Sequence, residues 1–247
     1  MIPRRPIIST ALLGVLFAAL TGCVTETRSD WRRLEAHRAY HAGDIPTARD
    51  YFAACVNEQA TDWKSQYFLG RIALETGDLH TARRHLDLAY TLRRANTEEL
   101  SYQPEPLRPI NPDLDQPRWP TLPQIIDLLA EVIYQQDDTV RLNEFLNSVA
   151  QRSGNPNDYI RLGRFLQRSG DPDSAVTALN KAVLLAPVDD RRPYLALADF
   201  YEDIGLASEA QIALRRAYGI RPDDKLADRL RSHGIVPGPT AALPIDR

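Results

Sequence analysis

The chain has 247 residues, with 30 Lys and Arg against 33 Asp and Glu, a formal net charge of −3. A mildly acidic chain without a basic block argues against nucleic acid as a partner. Its two cysteines, Cys23 and Cys55, are too few for a disulfide framework, so stability has to come from a packed core.

Arg4 and Arg5 precede an apolar run from Ile7 to Leu20, which is 14 residues long. A membrane-spanning helix needs roughly 20. The run ends in Leu20-Thr21-Gly22-Cys23, small residues ahead of a cysteine, which is the layout of an export signal. Those four residues resemble the lipobox of bacterial lipoproteins. The resemblance covers residues 1–23 and implies cleavage of 1–22 and a lipid on Cys23. Cleavage would remove Arg4 and Arg5 but no acid, taking the net charge from −3 to −5. Several acyl chains, at about 0.8 kcal/mol per buried methylene, would then hold the protein on a bilayer. Val24, rather than Asp, follows the cysteine. By analogy with enterobacterial sorting, this implies the outer membrane, facing the periplasm. Residues 23–30 would form a lipidated tether, in which the six residues from Val24 to Ser29 reach at most about 20 Å.

A hexapeptide recurs downstream: Gly43-Asp-Ile-Pro-Thr-Ala48, Gly77-Asp-Leu-His-Thr-Ala82 and Gly170-Asp-Pro-Asp-Ser-Ala175, with a looser Gly205-Leu-Ala-Ser-Glu-Ala210. Gly43 and Gly77 are 34 residues apart, and Gly170 and Gly205 are 35 apart. That period marks a solenoid of helical hairpins. The fullest copy places Tyr194, Leu197, Ala198 and Tyr201 on one stripe of a first helix and Ala210, Leu214 and Ala217 on one stripe of a second. The copy before it repeats this with Tyr159, Leu162, Gly163, Leu166, Ala175, Leu179 and Ala182. Glycine supplies the left-handed end of the first helix, and Asp44, Asp78 and Asp171 stand where the second needs an N-cap. Pro187 and Pro222 stop the second helix.

These positions resemble the tetratricopeptide repeat. The resemblance implies an all-α, right-handed solenoid of about five hairpins. Hairpins one and two span 31–92. Hairpins three to five span 123–234 and include a capping helix from Lys225 to His233. The third hairpin carries Asp137 in place of the turn glycine. Residues 235–247 hold three prolines and little to bury, and are expected to be disordered.

Residues 93–122 interrupt the rhythm. Pro104, Pro106, Pro109, Pro112, Pro117, Pro120 and Pro123 exclude a helix there, although Arg93 to Tyr102 can prolong the preceding one. The segment reads as a linker or an insertion laid on the solenoid with Trp119 as anchor. The other reading is a docking element for a partner.

In such repeats the first helix of each hairpin lines the concave groove. Carried over, the resemblance implies a protein-binding groove of Arg33, His37, Tyr40 and His41, then Lys64, Tyr67 and Arg71. Glu131 and Tyr134 follow, then Arg164 and Arg168, and last Asp199 and Glu202. Tyrosine and arginine often dominate binding energy. The Lys and Asn with which some family members clamp a terminal carboxylate are not reproduced at Arg33 and His37 or at Tyr67 and Arg71.

His37 and His41, four apart, share a helix face with metal-capable spacing. Arg38 stands where a zinc-protease motif needs Glu, and nothing in the spacing demands a third ligand. Cys55 falls at a small apolar packing position. No catalytic motif, cofactor or metal site stands out, so an enzyme is not expected. The expected function is a membrane-anchored adaptor in an envelope assembly, with protein partners and a bilayer reached through acylated Cys23. It resembles, in layout, tetratricopeptide lipoproteins that serve as pilotins, outer-membrane assembly factors or wall-hydrolase adaptors. The alternatives are a metal-binding or enzymatic protein using His37 and His41, and a structural spacer whose groove is filled by the proline segment.

Overall fold

The computed structural model describes residues 30–100 and 119–244, without the side chains of 97–100. Residues 1–29, with the export signal and Cys23, and the proline-rich 101–118 lie outside the described residues. Every regular element among those described is helical. The helices are α1 (30–41), α2 (Ile45–Glu58), α3 (Trp63–Glu75), α4 (Leu79–Leu100), α5 (Leu122–Gln135), α6 (Thr139–Ser153), α7 (Pro156–Arg168), α8 (Pro172–Leu185), α9 (Arg192–Asp203), α10 (Ala207–Ile220) and α11 (Asp224–Ser232). A short 3-10 turn follows at Pro239–Ala241. Among the described residues no helix is long and apolar enough to cross a membrane.

The recurring hexapeptide builds the hairpin turn. Its glycine takes a left-handed backbone, with φ +82° at Gly43, +81° at Gly77 and +79° at Gly170. The next amide then reaches back across the helix end: Asp44 N–H to Ala39 O at 2.9 Å, Asp78 to Ala73 at 2.9 Å, Asp171 to Leu166 at 3.0 Å. The same aspartate caps the second helix, its Oδ1 accepting from the amide of Thr47, Thr81 or Ser174 at 3.0–3.2 Å. The closing alanine is wholly buried at Ala48, Ala82, Ala175 and Ala210. In the looser fourth copy Leu206 makes no side-chain cap. The third hairpin keeps the turn without glycine: Asp137 itself sits at φ +58° and Asp138 caps α6 through the Arg141 amide.

The chain divides into two compact units, Met1–Val132 and Ile133–Arg247. The division falls inside α5, whereas the proline-rich segment suggested a break within 93–122. In the first unit α3 packs on α2 and α4. Its core holds Phe52 stacked on Phe68 at 4.8 Å, with Ala36, Cys55 and Leu86 wholly buried. A Cβ on Gly70 would stand 2.6 Å from Leu86 Cγ, so glycine is what lets α3 and α4 close together. The α4 helix runs on to Leu100, beyond the expected hairpin end at 92. In the second unit α7 packs on α6 and α8, α9 on α7 and α10, and α11 on α10.

The expected disordered tail is a correction through residue 244. Ala241 is buried, Arg215 donates to the carbonyls of Ala241 at 2.8 Å and Thr240 at 3.3 Å, and Leu243 N–H returns to Arg215 O at 3.3 Å. The segment covers α10, where a further repeat would otherwise be needed to bury that face.

Candidate functional site

In the first unit, α1 and α3 turn an aromatic and basic face outward, and Trp119 lies on it. The Trp119 ring stands 5.1 Å from His37 and 6.2 Å from Phe68, both edge-on. Lys64 Nζ lies 4.8 Å above it, within cation–π range. Beside it, His37 and His41 bring their Nε2 atoms to 3.1 Å. Arg71 stacks over Tyr40 at 5.2 Å and pairs with Glu75 at 3.2 Å, while the Tyr40 hydroxyl donates to the same Glu75. Burial depresses the His37 imidazole to about 4, with the adjacent His41 adding to it. Burial also lowers the Lys64 ammonium, helped by the nearby Arg33, and raises the Tyr40 hydroxyl, helped by its bond to Glu75.

Not every residue implied for this groove is free to bind. Arg33 is a correction: it is 8% exposed, and its Nε donates to Asp62 Oδ2 at 2.7 Å. Asp62 also takes the Ser65 hydroxyl at 2.7 Å and the amide of Lys64 at 3.2 Å, capping α3. A guanidinium enclosed by such a network is framework, because removing it from its carboxylate would strand a buried charge. Tyr40 and Tyr67 are also largely buried, at 9% and 6% exposure. The accessible face is therefore His37, His41, Lys64, Arg71 and Trp119. Glu75 completes the site, with buried Phe68 beneath it. The signal for Glu75 was its place on the same helical stripe as Arg71.

No metal geometry develops around the histidines. Among the described residues no group of three or more His, Cys, Asp or Glu could hold a metal ion. Cys55 is wholly buried, and burial raises its thiol.

In the second unit, Tyr134 and Arg168 come together. The guanidinium lies 4.2 Å over the Tyr134 ring, and the Tyr134 hydroxyl donates to Arg168 O at 3.2 Å. Glu131, counted with the first unit, is half-buried. Arg164 reaches Asp199 only at 4.0 Å. Asp199 and Glu202 have closer partners on the capping helix: Arg229 donates to them at 2.6 and 2.7 Å, and His233 meets Glu202 at 2.7 Å. Burial would raise the Glu202 carboxyl, yet the bonds from Arg229 and His233 hold it below the usual carboxylate range. These two acids are tied to α11, which sequence reasoning treated only as a cap.

Residues 159–189 and 192–224 match a tetratricopeptide repeat family model, and residues 64–87 match a second one. No curated protein matches the chain. Solved structures of similar fold include a tetratricopeptide repeat protein from Parabacteroides merdae ATCC 43184, 12% identical with a TM-score of 0.54, covering 83% of this chain and 72% of that one. The MamA protein is another, 16% identical with a TM-score of 0.51, covering 85% of this chain and 98% of that one.

Proposed function

We propose that this chain, which matches tetratricopeptide repeat models over residues 64–87, 159–189 and 192–224, is a lipid-anchored adaptor of the cell envelope that holds segments of protein partners on its first-helix faces. Tetratricopeptide repeats are protein–protein interaction modules, and that is the coarse part of the reading. The observation that carries it is the pair of half-buried cations Lys64 and Arg71 stacked on aromatic rings, a composition that supplies hot spots at interfaces. The envelope part rests on Leu20-Thr21-Gly22-Cys23. Lipid on Cys23 would keep the faces within a short tether of the bilayer, facing the periplasm if the outer membrane holds it.

Cys23→Ser moves the protein to the soluble fraction in this account; retention on membranes would overturn the anchor. For capture, Tyr67 is too buried to change without disturbing the core. Lys64→Glu with Arg71→Glu is the better pair, expected to lower partner recovery at least tenfold while helical circular dichroism is retained. Unchanged recovery would count against this face.

A second reading is favoured by Trp119 lying on His37 and Lys64: a spacer whose own chain occupies the face. Trp119→Ala separates the two. Capture that rises in this variant supports an adaptor with a displaceable cover. A chain that captures nothing with or without Trp119 is a spacer.

A further inference from the structure

The second unit holds a basin of about 460 Å³ between α7, α9 and α11. Its apolar wall is Ile160, Leu195 and Leu226, one residue from each helix, and its polar rim includes Arg164, Lys225 and Arg192. The volume lies in the range of sites that enclose a ligand's side groups. The cations are unequal. Arg192 is held by both oxygens of Asp190 at 2.8 Å, and Arg191 pairs with Asp223. Arg229 is fixed between Asp199 and Glu202. Arg164 has a 4.0 Å approach to Asp199 Oδ2, while Arg229 holds the same carboxylate through Oδ1 at 2.6 Å, and the Arg164 side chain is 63% exposed. Lys225 is exposed on the first turn of α11. Two under-used cations therefore line one basin together with its apolar wall.

The geometry points to this basin as the docking site for an acidic segment of a protein partner. An aliphatic or aromatic side chain of that segment enters between Ile160, Leu195 and Leu226. Flanking carboxylates pair with Arg164 and Lys225. The inference rests on the adaptor reading and adds the partner's chemistry. Charge complementarity decides the occupant: a basic segment would meet Arg164 and Lys225 head-on. Two available cations among carboxylates are also too few to track a phosphate backbone. Arginine is suited to the carboxylate because its planar fork takes both oxygens at once.

A random dodecapeptide phage library is selected on the full chain in detergent, and the recovered peptides are measured by fluorescence anisotropy. Asp or Glu beside Leu, Ile or Phe is expected. Affinity should fall at least tenfold with Arg164→Glu plus Lys225→Glu and several-fold with the milder Arg164→Gln plus Lys225→Gln. It should fall less than twofold with Lys181→Glu on α8. Affinity should also drop as salt rises. Recovery of uncharged or basic peptides, equal binding by the charge-reversed chain, or no binder at all would overturn the inference. Photocrosslinking from Arg71 in the other unit keeps the two claims apart. A partner caught there, with no acidic preference at the basin, sinks this inference and leaves the adaptor. Nothing caught at either place sinks both.

Discussion

Trp119 meets His37 edge to face at 5.1 Å, joining the last described stretch of the proline-rich insertion to the first helix of the array. Partners 82 positions apart in sequence thus share one contact, and the Lys64 ammonium over the same indole closes it from the other side. The half-buried indole contributes packing and an aromatic pair worth about 0.5–1.5 kcal/mol beyond its buried area. Trp119→Ala should therefore cost the first unit about 2 kcal/mol in urea unfolding, and Trp119→Phe less than half of that. A change below about 0.5 kcal/mol would show that the ring only rests there.

The same contact makes stability depend on pH. His37 is held near 4 in the fold, while an unfolded histidine titrates near 6.5. Between those values the unfolded chain binds more protons, so stability is full above about pH 6.5 and is lost as pH falls toward about 4. His85, lowered by burial and then by Arg84, adds in the same direction. After screening of a partly exposed ring, the loss is about 1–2 kcal/mol. His37→Phe should flatten the difference between urea midpoints at pH 7 and pH 5; an unchanged difference would contradict it.

Asp137 carries the left-handed turn that glycine carries elsewhere, at φ +58°. Asp137→Gly should stabilise the protein by about 0.5–1 kcal/mol. Gly163→Ala should do the opposite, because its Cβ would stand 2.7 Å from Leu179 Cγ and 3.2 Å from the Ala175 carbonyl. Overpacking of that kind costs about 1–3 kcal/mol. Thermal midpoints moving in the same direction for both would contradict the turn and packing roles.

Asp62 is the centre of the buried network around Arg33. Asp62→Ala should cost about 3 kcal/mol, the low end for a broken buried pair, because Arg33 keeps Asp30 at 2.6 Å. Partner capture per folded molecule should not change. Weakened capture at unchanged stability would return Arg33 to the binding face.

What was legible in the sequence is what short-range chemistry controls. Gly43-Asp44 predicts a left-handed turn and a cap because both are satisfied within six residues, and Ala198, Ala210 and Ala217 mark the close helix approach. What was not legible depends on residues far along the chain. Arg33 has the right phase for a groove, but Asp62, 29 residues on, draws it inside. Asp199 and Glu202 read as open acids until Arg229, about 30 residues later, reaches them. The tail looked unable to bury anything, yet Arg215 gathers the carbonyls of Thr240 and Ala241 and brings Ala241 down onto α10.

The central claim is capture of a protein partner on the first-helix faces, and site-specific photocrosslinking in intact cells tests it most directly. A photoreactive residue at Arg71 is compared with one at Leu184, which is 69% exposed on α8, a second helix of its hairpin. The account expects a discrete protein adduct in the membrane fraction from position 71 and none from position 184. Adducts equal at both positions, or absent at 71 with the protein folded and membrane-bound, would contradict it.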